Sequence, residues 1–238
     1  MSGHSKWKNI MHKKGKTDAE RARVFSKLGK EMMIAIREGG SDPAANSRLR
    51  DCIVKAKANN VPNDNIERII KKAEGGGVNY EAIVYEGYGP SGIAVIVETA
   101  TDNRNRTGSD MRHYFDKYGG KLGNTGCVSY LFADSGIIVI ELDGKDEEAL
   151  MEAAMEAGAV DFTSSDGVFE IFTAPAELER VRDALSGAGY SFLSAQVEKV
   201  PSNYVRLESE EDIQKATKLL EMFEEHDDVQ NVWHNWEV

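Results

Sequence analysis

Only two of the 238 residues are cysteine, Cys52 and Cys127. They form no C-x-x-C pair and sit in segments of different character, so they suggest no disulfide framework, and a reducing cytoplasm is the expected compartment. No run of about 18 apolar residues occurs, so no transmembrane helix and no membrane partner are expected. The opening residues are polar and lysine-rich rather than of secretory type. Enzyme signatures are also missing. H-E-x-x-H and G-x-S-x-G do not occur, and Gly119-Gly120-Lys121-Leu122-Gly123 lacks the spaced glycine leading into G-K-[ST] that a P-loop requires. The run Glu224-Glu225-His226-Asp227-Asp228 has metal-ligand residue types. Consecutive positions do not share a helix face, so it reads as a solvated helix end. No enzyme activity, metal or cofactor is expected.

What the chain has is a divided charge. Residues 1–72 hold 17 lysines and arginines against 8 acids, a balance of +9, whereas residues 73–238 hold 12 against 32, a balance of −20. The whole-chain value of −11 conceals a basic head on an acidic body. A polyanion is drawn to the first and repelled by the second, so an acidic protein of this design can still bind nucleic acid.

Periodicity divides the chain further. Residues 1–16 have no clean period and read as a flexible basic arm. Thr17-Asp18-Ala19-Glu20 fits a capping box, after which Phe25, Leu28, Met32 and Ile36 recur at helical spacing until Gly39-Gly40. Asp42-Pro43 suits the start of a second helix with the stripe Leu49, Cys52, Ile53 and Ala56. A third carries Ile66, Ile69, Ile70 and Ala73 and ends at Gly75-Gly76-Gly77. Three short amphipathic helices bury their stripes only against one another. Strand-like patterning follows: a hairpin over 82–99, a helix over 106–118 and a strand over 127–132. Residues 136–200 then spell β-α-β-β-α-β. An extended piece at 204–207, a helix bearing Ile213, Ala216, Leu219, Leu220 and Phe223, and a strand over 229–233 complete the chain. Neither 78–132 nor the last segment can build a core alone.

The expected fold is therefore a multidomain α+β protein. A basic three-helix domain with its N-terminal arm spans 1–77. A discontinuous α+β domain comprises 78–133 plus 203–238, and a β-α-β-β-α-β domain over 134–202 is inserted in it. The two later domains are expected to be α/β sandwiches of the ferredoxin-like type.

Three groups of residues are candidates for nucleic-acid contact. In the arm, Lys6, Lys8, Lys13, Lys14 and Lys16 neutralise phosphates, while Trp7 and His12 stack on unpaired bases. The alternative is a solvated tail with Trp7 tucked onto the helical domain. In the second helix Arg48 and Lys55 share one face and Arg50 and Lys57 a neighbouring strip, and the third adds Arg68, Lys71 and Lys72. The alternative there is a charged solvent face with intrahelical pairs such as Asp64–Arg68 and Glu67–Lys71. Third, Asp102–Thr107 precedes a helix N-terminus where Arg104 and Arg106 would clamp an anion. A structural turn with Arg106 paired to an acid is the competing reading.

Several blocks of text resemble the YebC/PmpR family, which includes the mitochondrial translational activator of cytochrome c oxidase subunit I. They are Gly3–Ile10 (GHSKWKNI), Phe25–Leu28 (FSKL), Gly39–Pro43 (GGSDP), Asn46–Arg50 (NSRLR), Pro62–Arg68 (PNDNIER), Tyr85–Pro90 (YEGYGP), Thr101–Thr107 (TDNRNRT) and Gly126–Phe132 (GCVSYLF). Cys127 stands where a small hydroxyl residue or glycine is expected. The resemblance covers essentially the whole chain. It implies a helical domain followed by two α/β domains, and a role in gene expression. Family members are described as DNA-binding transcriptional regulators, and others act in translation on the ribosome. The partner so implied is nucleic acid, either DNA or ribosomal RNA.

Overall fold

A computed structural model describes residues 18–165 and 167–237. Helix α1 (Asp18–Gly39) packs against α2 (Ser47–Ala58) and α3 (Asn63–Glu74). Leu28, Met32, Ala35 and Ile36 of α1 meet Leu49, Cys52 and Ala56 of α2 and Ile66 of α3 in one buried cluster. Burial of the Cys52 thiol pushes its pKa up to about 12, and Glu31 adds to the effect, so the group is an inert core residue.

The start of α2 differs from expectation. Its cap is Asn46, not Asp42. The Asn46 side chain accepts from Leu49 N–H at 3.0 Å and donates to the carbonyls of Ala35 and Gly40 at 2.8 Å, so one buried amide ends α1 and begins α2. A Cβ on Gly39 would lie 2.7 Å from that amide, which fixes glycine there.

Strands β1 (Glu81–Tyr88) and β2 (Ala94–Thr101) form the expected hairpin, paired from Glu81↔Thr101 to Tyr88↔Ala94. Helix α4 (Arg104–Lys117) and the short strand β3 (Lys121–Leu122) follow. The next long strand is β4 (Phe132–Glu141), and it opens a β-α-β-β-α-β run with α5 (Glu147–Ala157), β5 (Asp161–Ser165), β6 (Val168–Thr173), α6 (Leu178–Gly187) and β7 (Ser194–Pro201). This run makes a sheet of order β5-β6-β4-β7 in which all neighbours are antiparallel. Its helices bury Leu150, Ala154, Val181 and Leu185 against Ile138, Ile140, Phe169 and Ile171. The C-terminal segment supplies β8 (Val205–Arg206), α7 (Glu210–Glu225), β9 (Val229–His234) and β10 (Trp236–Glu237).

β9 pairs with β2, giving a sheet of order β3-β1-β2-β9, while β8 and β10 pair separately. Ile93, Val95 and Val97 then pack with Met111 and Phe115 of α4, Leu219 and Phe223 of α7, and Trp236. Phe115 and Phe223 meet with ring centroids 5.0 Å apart. Two compact units result, one of residues 130–204 and one of 18–129 with 205–236.

The strand expected over 127–132 does not form. Gly126–Ser129 turns around the side chain of Glu86, whose carboxylate accepts the N–H groups of Gly126, Val128 and Ser129 at 2.8–2.9 Å. A 3-10 turn, Ser129–Leu131, then leads into β4. Amides held by a carboxylate do not join a strand ladder. Glu86 is buried, which alone would raise its pKa, but the amides of Val128, Gly126 and Ser129 hold it below the usual carboxylate value.

Candidate nucleic-acid interface

The arm candidates Lys6, Trp7, Lys8, His12, Lys13, Lys14 and Lys16, and the Thr17 cap, lie outside the described residues. The remaining candidates fall into groups with different surroundings.

On α2, Arg48 and Lys55 turn toward acids of α1. Arg48 pairs with Glu38, both about half exposed, and Lys55 Nζ lies 3.2 Å from Glu31. Solvated pairs of this kind contribute about 0–1 kcal/mol, so a phosphate can compete for the cations. Arg50 is exposed and spends one N–H on the Pro43 carbonyl at 3.2 Å. Lys57 is exposed and makes no ion pair among the described residues. On α3, Arg68, Lys71 and Lys72 are all exposed. Arg68 donates to Asn65 at 2.8 Å, and neither intrahelical ion pair considered from the sequence, Asp64–Arg68 or Glu67–Lys71, forms. Lys55 and Lys57 also stand in the last turn of α2, and Lys71 and Lys72 in that of α3, where cations complement the helix dipole.

The Asp102–Thr107 segment, whose residues from Arg104 onward form the first turn of α4, is tied down on its inner side. Asn103 caps α4 by accepting from Arg106 N–H at 3.1 Å, and its own N–H is taken by Thr101 Oγ1 at 2.9 Å. Arg106 donates to Asp102 and Asp228 at 2.8 Å each. Those two carboxylates, Asp228 first, raise its pKa above the ordinary arginine value. Arg106 is therefore engaged by acids, as the structural-turn reading describes, while Arg104 beside it is exposed and makes no ion pair among the described residues. The hydroxyl of Tyr85 is buried without a hydrogen-bond partner among those residues, and burial raises its pKa despite the nearby Arg104 charge.

The partner of Arg106 was not legible in the sequence. Of the run Glu224–Asp228, Glu224, Glu225 and Asp227 are exposed as expected, but Asp228 is buried. Its Oδ1 accepts from Lys30 Nζ at 2.6 Å, and its Oδ2 from Arg106 and Thr107 at 2.8 Å and from Thr101 at 3.2 Å. Burial alone would raise the pKa of Asp228. The bonds from Lys30, Arg106 and Thr107 outweigh it and hold the carboxyl far below the usual range. Lys30 also donates to the Asp227 carbonyl, and Lys27 to that of Glu224, both at 3.0 Å. Two lysines of α1 thus meet the end of α7 and fasten the helical domain to the α+β core.

His226 is absorbed into the same corner. Its Nδ1 accepts from Asp228 N–H at 3.1 Å, which leaves Nε2 to donate to Asp110 at 3.2 Å. Among the described residues no group of three or more His, Cys, Asp and Glu could hold a metal ion. No helix among them is long and apolar enough to cross a membrane.

Two family models match the chain. That of the TACO1/YebC N-terminal domain covers residues 5–76, and that of the TACO1/YebC second and third domain covers 80–236. A probable transcriptional regulatory protein of Caldicellulosiruptor bescii is 53% identical over 240 residues, covering 100% of this chain and 98% of that protein. One of the same description from Ruminiclostridium cellulolyticum is 56% identical over 240 residues, covering 100% and 97%. The crystal structure of a conserved hypothetical protein from Aquifex aeolicus is similar with a TM-score of 0.88 at 47% identity, covering 98% of this chain and 97% of that one.

Proposed function

We propose, from the fact that this chain belongs to the TACO1/YebC family, that it is a non-enzymatic regulator of gene expression that binds nucleic acid through its basic helical domain, as a DNA-binding transcriptional regulator. The observation that carries this reading is the exposure of five cations on α2 and α3, Arg50, Lys57, Arg68, Lys71 and Lys72, none of which is neutralised by a carboxylate among the described residues. Arg48 and Lys55 join them once their weak surface pairs are exchanged for phosphate. Arg104 adds a cation near the capped end of α4, whereas Arg106 contributes only if it leaves both Asp102 and Asp228. The acidic remainder of the chain keeps polyanions off other surfaces. The sheet order β5-β6-β4-β7 supports reading residues 134–202 as a ferredoxin-like unit inserted between 78–133 and 203–238, with 1–77 as the binding domain.

A second reading, a translation factor on ribosomal RNA, is favoured by one observation. The arm interleaves Trp7 and His12 with lysines, and such a segment suits irregular, unstacked RNA better than a uniform duplex. Sedimentation of the native chain with ribosomes, against gel shift on genomic DNA at matched salt, separates the two. Co-migration with ribosomes and no shifted DNA selects RNA, and the converse selects DNA. Binding to neither removes the proposal.

A further inference from the structure

Residues 130–204, one of the two compact units, hold 15 acids against 4 lysines and arginines, a balance of −11 that equals the balance of the whole chain. The four cations are engaged locally. Lys145 donates to the Glu141 carbonyl, Arg180 pairs with Glu177, Arg182 with Asp183 and Lys199 with Asp134. Helix α5 concentrates the imbalance. Its inner side is Leu150 and Ala154, fully buried in the core of the unit. On its outer side Glu147, Met151 and Met155 follow one another at four-residue intervals, and Glu148, Glu152 and Glu156 form the neighbouring strip, all of them exposed.

Both strips are costly for a helix facing only water. Met151 is 44% exposed and Met155 49%, and no other methionine among the described residues is exposed; Met32 and Met111 are fully buried. Large apolar side chains one turn apart on the solvent side forgo the burial that stabilises them. Glutamates four positions apart repel one another along a helix. Glu148 suits the first turn, but Glu156 stands in the last, where the helix dipole disfavours an anion and no basic residue offsets it. Glu148, Glu152 and Glu156 make no ion pair among the described residues. One kind of occupant removes both costs, namely one that brings cations and apolar groups together at helical spacing.

We propose that this outer face of α5 docks a lysine- or arginine-rich amphipathic helix of a protein partner. The partner's apolar side chains cover Met151 and Met155, whose unbranched thioethers adapt to an irregular surface. Its cations, one turn apart, meet Glu148, Glu152 and Glu156. The helix is about 16 Å long at 1.5 Å per residue, so about three turns of the partner make the contact. An interface of that size is small, and the docking is weak and reversible. Charge excludes a nucleic acid from this face. It also opposes a symmetric dimer, because a second copy docking through the same face sets two glutamate strips against each other. The docking does not depend on what the helical domain grips. A chain that holds a polyanion at one unit and a basic protein at the other would bring the two together.

The test uses the full chain with isotopically labelled methionine methyl groups, titrated with an amphipathic helical peptide of about four turns built from leucine and lysine. The methyl signals of Met151 and Met155 should shift while those of Met32 and Met111 hold. Fluorescence anisotropy of the labelled peptide should show binding weakened at least about tenfold by Met151→Gln with Met155→Gln. Glu148→Gln, Glu152→Gln and Glu156→Gln together should weaken it at least about fivefold and flatten its salt dependence. All five side chains are exposed, so the variants should keep the parent unfolding profile. If a variant does not, the methyl shifts of the unaltered chain still decide. Shifts at neither Met151 nor Met155, or an affinity indifferent to the methionine variant, overturn the proposal. So does equal binding of a leucine and glutamate peptide, or of a lysine peptide without leucine. Sedimentation that shows dimers lost in the methionine variant also overturns it, by making the face a contact between copies. No nucleic acid is present, so failure here is separable from failure of the helical domain to bind DNA or RNA.

Discussion

Lys30 on α1 and Lys57 on α2 are the same residue type on the same small domain, yet their surroundings differ in every respect. The Lys30 side chain, 11% exposed, sits between the carboxylate of Asp228 and the carbonyl of Asp227 and lies 5.3 Å from the Tyr80 ring centroid. Lys57 stands in solvent with no ion pair among the described residues. A cation already satisfied by fixed oxygens is structural, because pulling it away leaves a buried carboxylate uncompensated. A cation with only water around it costs little to move onto a phosphate. The +9 balance of the first 72 residues therefore overstates the charge available to a ligand. Part of it fastens the domain, and the rest faces outward.

The comparison breaks most visibly at Asp228. Asp228→Ala strands Lys30 and removes the main partner of Arg106. The expected loss is about 3 kcal/mol, at the low end for breaking a buried pair because Arg106 is half exposed. Urea or calorimetric unfolding reads it as an earlier transition of the unit containing the helical domain. Acid should do the same to the unaltered chain. The folded carboxyl titrates far below its unfolded value of about 3.9, so its contribution is complete above that value and disappears as pH falls below about 4. An Asp228→Asn chain should show a correspondingly shallower acid limb in its stability profile.

Glu86→Ala comes next. It deprives three backbone N–H groups of their acceptor, and about 2 kcal/mol should be lost. Hydrogen exchange should quicken at Gly126, Val128 and Ser129 while α1–α3 are unaffected. Protection unchanged at those three amides would show that the loop holds itself. The smallest effect is expected from Lys57→Ala, whose unfolding free energy should lie within about 0.5 kcal/mol of the parent. A larger drop would place Lys57 with Lys30 among the structural cations.

These differences show which parts of the molecule were open to sequence reasoning. The helices declare themselves through local stripes, as Leu28-Met32-Ile36 and Leu219-Phe223 do, because a 3.6-residue period is written in adjacent turns. The β-α-β-β-α-β order of 132–201 is legible for the same reason. What escapes is set by distant partners. Residues 127–132 alternate like a strand, but Glu86, some forty positions away, claims their amides. Arg106 and Asp228 are 122 positions apart, and no local pattern links an arginine at the start of one helix to an aspartate past the end of another. Asp42-Pro43 has good capping chemistry, but Asn46 alone reaches α1 and α2 together. The exposed cations of α2 and α3 were legible because an amphipathic helix puts its charges opposite its buried stripe.

The central claim is that these outward cations, and not the satisfied ones, grip phosphate. The most direct measurement is the salt dependence of nucleic-acid affinity for the full chain and its Arg50→Gln, Lys57→Gln, Arg68→Gln variant, using whichever nucleic acid the native protein binds. Weaker binding and an unchanged unfolding profile are expected of the variant. Its slope of log affinity against log salt should be shallower by about 0.9 for each phosphate it no longer neutralises on duplex DNA, or about 0.7 on single strands. Parent and variant curves that superimpose in both affinity and slope would contradict the claim.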